Sequence, residues 1–118
     1  MVRVEQIAQA ALAGDSLQTR SLAQDFLREQ TRLQDVPRPE TSDMHVLALS
    51  AGLVEMFASR RNQTAPAWTK SVGAANESVF LVKSALTMKH LRKLCETESP
   101  PPLRRRKFFA PPNYLEFA

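Results

Sequence analysis

The chain has 118 residues, 43% hydrophobic and 24% charged, with a formal net charge of +4. That is one domain's worth of ordinary globular sequence, which excludes a disordered, collagenous or membrane-embedded chain. A single cysteine, Cys95, excludes an intrachain disulfide and a cysteine metal cluster, and fits a reducing cytoplasm.

With only three glycines and several Ala/Leu/Gln/Glu/Arg-rich stretches, the sequence predicts an all-α fold, a small bundle of about four helices. Residues 1–98 form the helical domain in this reading, and residues 99–118 an irregular basic and aromatic C-terminal tail. The opening run carries Glu5 and too short an apolar stretch for a signal peptide. Residues 3–13 predict a short helix, with Val4, Ile7, Ala8, Ala11 and Leu12 on one face. Gly14 supplies the left-handed residue that closes it. Asp15 or Ser16 caps a second helix to about Gln34, whose buried stripe is Leu22, Ala23, Phe26, Leu27, Gln30 and Leu33. Its outer face mixes Asp25, Arg28, Glu29 and Arg32, a solvated surface.

Pro37 and Pro39 stop that pattern, and Thr41, Ser42 or Asp43 caps a third helix over about 43–60. Met44, Val46, Leu47, Leu49, Leu53, Val54, Met56 and Phe57 make it apolar almost all round. Such a helix is central, with the first two leaning on it, and any face left bare would be a site for a partner chain or a second copy. Interrupted by His45, Ser50 and Glu55, it is too short and polar to span a bilayer, which takes about 20 apolar residues. Asn76 or Ser78 starts the last long helix. "VFLV" at 79–82 is ambiguous between strand and helix, and from Leu81 a helical stripe runs through Ser84, Met88, Leu91 and Cys95.

Catalysis finds little support. His45 and His90 stand on different helices, and His90 and Cys95 lie roughly 140° apart around one helix, too far for a dyad. The three glycines are isolated, so no phosphate loop is present. Asp25/Glu29 and Glu96/Glu98 read as surface charge, and Cys95 as an inert core thiol. No metal or cofactor is expected.

The charge is divided. Residues 1–59 carry five basic and eight acidic side chains, and residues 60–118 eleven basic and four acidic. A basic half seeks an acidic partner, either a protein surface or nucleic acid. For nucleic acid the candidates are Lys83, Lys89, Arg92 and Lys93, with the tail arginines on phosphates and aromatic rings on bases, though no helix-turn-helix stands out. For a protein the candidate is the tail: Arg104, Arg105, Arg106 and Lys107, then Phe108, Phe109, Tyr114, Leu115 and Phe117. Exposed rings are sticky, so this segment packs either on its own domain or in a partner's groove, with the cations setting register.

"APAWT" at 65–69, "ESVFLV" at 77–82, Leu91 and Leu94, and "SPPPLRRRKFFAPPNYLEFA" at 99–118 resemble a group of short bacterial antitoxin-like proteins encoded beside a nucleotidyltransferase-type toxin. In that family an asparagine commonly follows the arginines, and Lys107 stands there instead. The resemblance implies a cytoplasmic, non-enzymatic partner protein whose C-terminal segment touches the toxin, through Arg104, Arg105, Arg106, Phe108, Phe109 and Leu115.

Overall fold

The computed structural model describes residues 2–117. It is all-α, with helices α1 (Val4–Leu12), α2 (Ser16–Glu29), α3 (Met44–Arg60), α4 (Lys89–Glu98) and the single turn α5 (Pro101–Arg104). Short 3₁₀ turns lie at Leu33–Asp35, Ala67–Ser71 and Lys83–Leu86. The only strands among the described residues are β1 (Val79–Phe80) and β2 (Phe108–Phe109), which pair in parallel. A parallel pair needs a long crossover, and α4 with α5 provides it.

Local chemistry sets the first three helices. The Gln6 side chain accepts the Arg3 N–H at 2.8 Å, satisfying one free donor at the start of α1. Gly14 takes φ +77° after α1, with the Lys83 side chain laid across it, so an added Cβ would sit 2.1 Å from Lys83 Cε. Asp15 caps α2 by accepting the Gln18 N–H at 3.0 Å, and Asp43 caps α3 by accepting those of His45 and Val46. α2 ends at Glu29, five residues before the expected Gln34. Leu33 still reaches the core, from the 3₁₀ turn, because Gln63 holds it by accepting the Leu33 N–H and donating to the Thr31 carbonyl.

α3 is the centre. Every residue from Val46 to Ala58 is buried except Glu55, which is half-buried, while Met44 at its start is exposed. α1 lies between α2 and α3, so α2 leans chiefly on α1 and meets α3 through Phe26 and Phe57, ring centroids 6.2 Å apart. The remaining sides of α3 are covered by α5 and the two 3₁₀ turns at 33–35 and 67–71. The apolar residues of α3 from Val46 to Ala58 are thus covered within the chain, and Met44 is left in solvent.

The second half departs from the expected pattern. The long helix from residue 76 or 78 does not form, because "VF" is drawn into the ladder with Phe108 and Phe109 and the chain stays extended to Val82. Helix resumes only at Lys89. Leu91 and Cys95 turn inward there, while Ser84 and Met88, expected on the buried stripe, are exposed.

Residues 99–117 pack into the domain instead of trailing from it. Pro101 and Pro102 open α5, where a missing N–H costs nothing. Leu103, Phe108, Ala110 and Leu115 then join the core cluster of Ile7, Leu49 and Phe57. The Cα radius of gyration, 13.1 Å, matches the roughly 13–14 Å of a fully packed unit of this length.

α5 packs closely enough on α3 that a Cβ on Gly52 would stand 2.9 Å from Leu103 Cδ2 and 3.2 Å from the Pro102 carbonyl oxygen. Gly52→Ala is expected to lower stability by about 1–3 kcal/mol through overpacking, and Leu103→Ala by about 2–5 kcal/mol through a cavity. Urea unfolding measures both, and wild-type midpoints would show that α5 is not seated there.

Candidate functional site

Glu55 is the one ionisable residue in the buried stretch of α3, and it is matched. Arg106 donates to it twice, Nη1 to Oε1 at 2.5 Å and Nη2 to Oε2 at 3.2 Å. The side chains are 14% and 8% exposed, so this is a buried fork-to-fork pair. Arg106 also donates to the carbonyls of Thr69 at 2.8 Å and Pro102 at 3.2 Å, leaving only Nε without a partner. Arg105 adds a hydrogen bond to Glu55 at 3.2 Å from the exposed side.

The "APAWT" and "LRRRK" motifs therefore meet. Thr69 is buried, its hydroxyl donates to the Pro66 carbonyl at 2.9 Å, and its own carbonyl receives Arg106. Trp68 Nε1 donates to the Val36 carbonyl at 2.8 Å, tying the same turn to the loop before α3.

Backbone hydrogen bonds extend the clamp along the chain. The carbonyls of Arg106, Lys107 and Phe109 accept the N–H groups of Ala75, Val79 and Leu81 at 2.9–3.0 Å. The buried Ser99 hydroxyl lies between the carbonyls of Cys95 and Ala110 and accepts the Ala110 N–H at 2.9 Å. Arg60, at the end of α3, donates to the carbonyls of Tyr114 at 2.6 Å and Pro112 at 3.3 Å. Lys107 has φ +68°, a left-handed geometry that asparagine adopts more readily than lysine.

The predicted contact residues thus separate into three sets. Arg106, Phe108 and Leu115 are interior residues, so they are not on the surface where a partner would meet them. Phe109 stacks at a tilt on Phe80, centroids 5.4 Å apart, and Phe117 lies under the Arg20 guanidinium at 4.9 Å; both are partly buried, as is Tyr114. Arg104, Arg105 and Lys107 are exposed, although Arg104 donates to the Thr97 carbonyl at 2.7 Å. Among the nucleic-acid candidates, Arg92 pairs with Glu96 at 3.1 Å and caps the Phe80 ring at 5.2 Å, and Lys83 covers Gly14. Lys89 and Lys93 are exposed and meet no carboxylate among the described residues.

Sequence reasoning missed Glu55 and Thr69 as anchors and Leu86, Met88 and Leu94 as surface. A lone carboxylate in an apolar helix was the available signal for the first. Cys95 is enclosed, and burial first, then Glu96, pushes its thiol above the ordinary value. Among the described residues no three His, Cys, Asp or Glu side chains group to hold a metal, and no helix is long and apolar enough to cross a membrane. Comparison with protein-family models, curated proteins and solved structures finds no match for the chain.

The buried pair and the enclosed ring each have a measurable consequence. Glu55→Ala strands a buried guanidinium and is expected to cost about 3–5 kcal/mol, most of it regained when Glu55→Leu is combined with Arg106→Met. Equal losses in the single and double variants, by chemical denaturation, would show that the pair is not coupled. Burial pushes the hydroxyl of Tyr114, the only tyrosine, up to about 12. The unfolded chain ionises it near 10, so its contribution to stability is complete below pH ~10 and is lost as pH rises towards ~12. Tyrosinate absorbance should titrate near the upper value in folded protein; a midpoint near 10 would mean the ring is hydrated.

Proposed function

We propose that this chain is a non-enzymatic interaction subunit that docks on an acidic surface of a partner protein through residues 83–94. The observation that supports this most is exposed apolar surface in a cationic segment. Leu86, Met88 and Leu94 are 62%, 56% and 39% exposed, and they alternate with Lys83, Lys89, His90 and Lys93. Exposed apolar side chains gathered with cations along one short segment have the composition of a contact surface. α4 gives only Cys95 to the fully buried interior, and Lys89, His90, Lys93 and Leu94 stay on its exposed side.

On the resemblance of residues 65–118, the partner is a nucleotidyltransferase-type toxin from an adjacent gene, and the complex is cytoplasmic. Inhibition is then steric and electrostatic, the lysines covering carboxylates that would hold metal or substrate. Arg104, Arg105 and Lys107, exposed at the far end of α5, add to the same field. The tail's role in this reading is to build the domain, with its accessible cations joining the contact.

A nucleic-acid reading uses the same Lys83, Lys89 and Lys93, but phosphate contacts have no use for Leu86, Met88 and Leu94, and Arg92 is already held by Glu96. Salt separates the two, since phosphate-driven affinity falls steeply with ionic strength and an apolar-anchored interface weakens modestly.

The test is co-purification with the product of the neighbouring gene, followed by titration. Leu86→Asp with Leu94→Asp should weaken the complex about tenfold or more while circular dichroism stays unchanged, because both side chains face water. Wild-type affinity in that variant would sink the proposed surface, and a steep salt dependence with nucleic acid would replace the partner class.

A further inference from the structure

A cavity of about 700 Å³ opens between the C-terminal half of α2, the end of α3 and residues 115–117. Its floor is apolar, made by Leu27, Phe57, Leu115 and Phe117. Its rim is cationic, with Arg28, Arg60 and Arg61 set against the one carboxylate of Glu116. The volume lies within the roughly 300–1,000 Å³ of ligand-binding clefts. None of these residues belongs to the 83–94 surface, so the cavity keeps its shape and charge whether or not that surface docks a partner.

Leu115, Glu116 and Phe117 form one wall of the cavity, an apolar–acidic–apolar stretch of the chain. Leu115 is buried, Phe117 sits under the Arg20 guanidinium at 4.9 Å, and the Glu116 charge bears on Arg60 against the burial that lowers its pKa. Arg60 is held in place by the carbonyls of Tyr114 and Pro112. The other two guanidiniums remain available. Arg28 has only an exposed pair with Asp25 at 3.4 Å, of little energetic weight, and Arg61 meets no carboxylate among the described residues.

We infer that this groove binds an acidic, apolar peptide segment of a partner protein, its carboxylate between Arg28 and Arg61 and its leucine or phenylalanine side chains on the partly exposed Leu27 and Phe117. Guanidinium recognition of a carboxylate sets the position, and the floor supplies the desolvated anchor.

The experiment uses the full chain and a fluorescein-labelled peptide alternating glutamate with leucine and phenylalanine. Two controls replace every glutamate by lysine or every apolar residue by alanine. Fluorescence anisotropy should give saturable binding of the first peptide alone, and ¹⁵N NMR should place its shifts at residues 24–28, 57–61 and 115–117. Arg28→Glu and Arg61→Glu should each weaken it about tenfold without moving the thermal midpoint, since both side chains are exposed. No saturable binding, equal binding of either control, or wild-type affinity in both variants overturns the inference. Shifts confined to 83–94 overturn it in favour of the other surface. Concentration-dependent self-association that Arg61→Glu abolishes would assign the groove to a second copy instead.

Discussion

A carboxylate in the middle of α3, among residues that are otherwise buried, is intolerable without a matched cation, and the fold turns on supplying one. Glu55 finds it in Arg106, half the chain away, and the two-pronged geometry fixes position as well as proximity. Once Arg106 is placed, Leu103 falls one turn of α5 earlier against Gly52, and Phe108 falls two residues later opposite Val79. Replacing such a pair by apolar side chains is often harmless to stability, so its value here lies in register: the threading that brings Arg106 onto Glu55 is the one that seats Leu103 against Gly52.

That threading makes the end of the sequence part of its centre. α1, α2 and α3 alone would leave the Gly52 side of α3 bare, and a unit of about 60 residues buries too little surface to be comfortably stable. Leu103, Phe108, Ala110 and Leu115 close this side. The two-residue ladder contributes few hydrogen bonds, but it delivers Phe108 into the core and carries the chain past Ala110 to where Ser99 and Arg60 hold it. The concealment that the tail's aromatic density required is met by its own domain.

Legibility in the sequence followed the range of the interactions. Helices α1 to α3 could be read because their causes are local: the apolar period, the left-handed Gly14, and the caps at Asp15 and Asp43. β1 could not be resolved because its cause is 29 residues distant. Val79 pairs with Phe108, and nothing in "VFLV" records that. Delaying the last helix to Lys89 also changed which side chains face inward, so Met88 emerged on the surface instead of in a stripe with Leu91 and Cys95. Glu55 was visible as an interruption of an apolar run. Its partner was not, because eleven cations of the second half were equally eligible by composition.

Those cations divide by residue type, which bears on what the basic half can do. Most of the arginines are held by the fold: Arg106 by Glu55, Arg60 by two carbonyls, Arg104 by Thr97, and Arg92 by Glu96 and a ring face, while Arg61 stays exposed. Their planar forks suit fixed, partly buried partners. Lysines 70, 89, 93 and 107 remain in solvent, as strongly hydrated charges on flexible stems. Such charges steer an acidic body towards the protein and quicken its arrival, but each exposed pair they form contributes little to holding it. In the proposed complex, lasting attachment would therefore come from side chains that gain by leaving water. Along residues 83–94 those are Leu86, Met88 and Leu94, interspersed with the lysines that would guide a partner onto them.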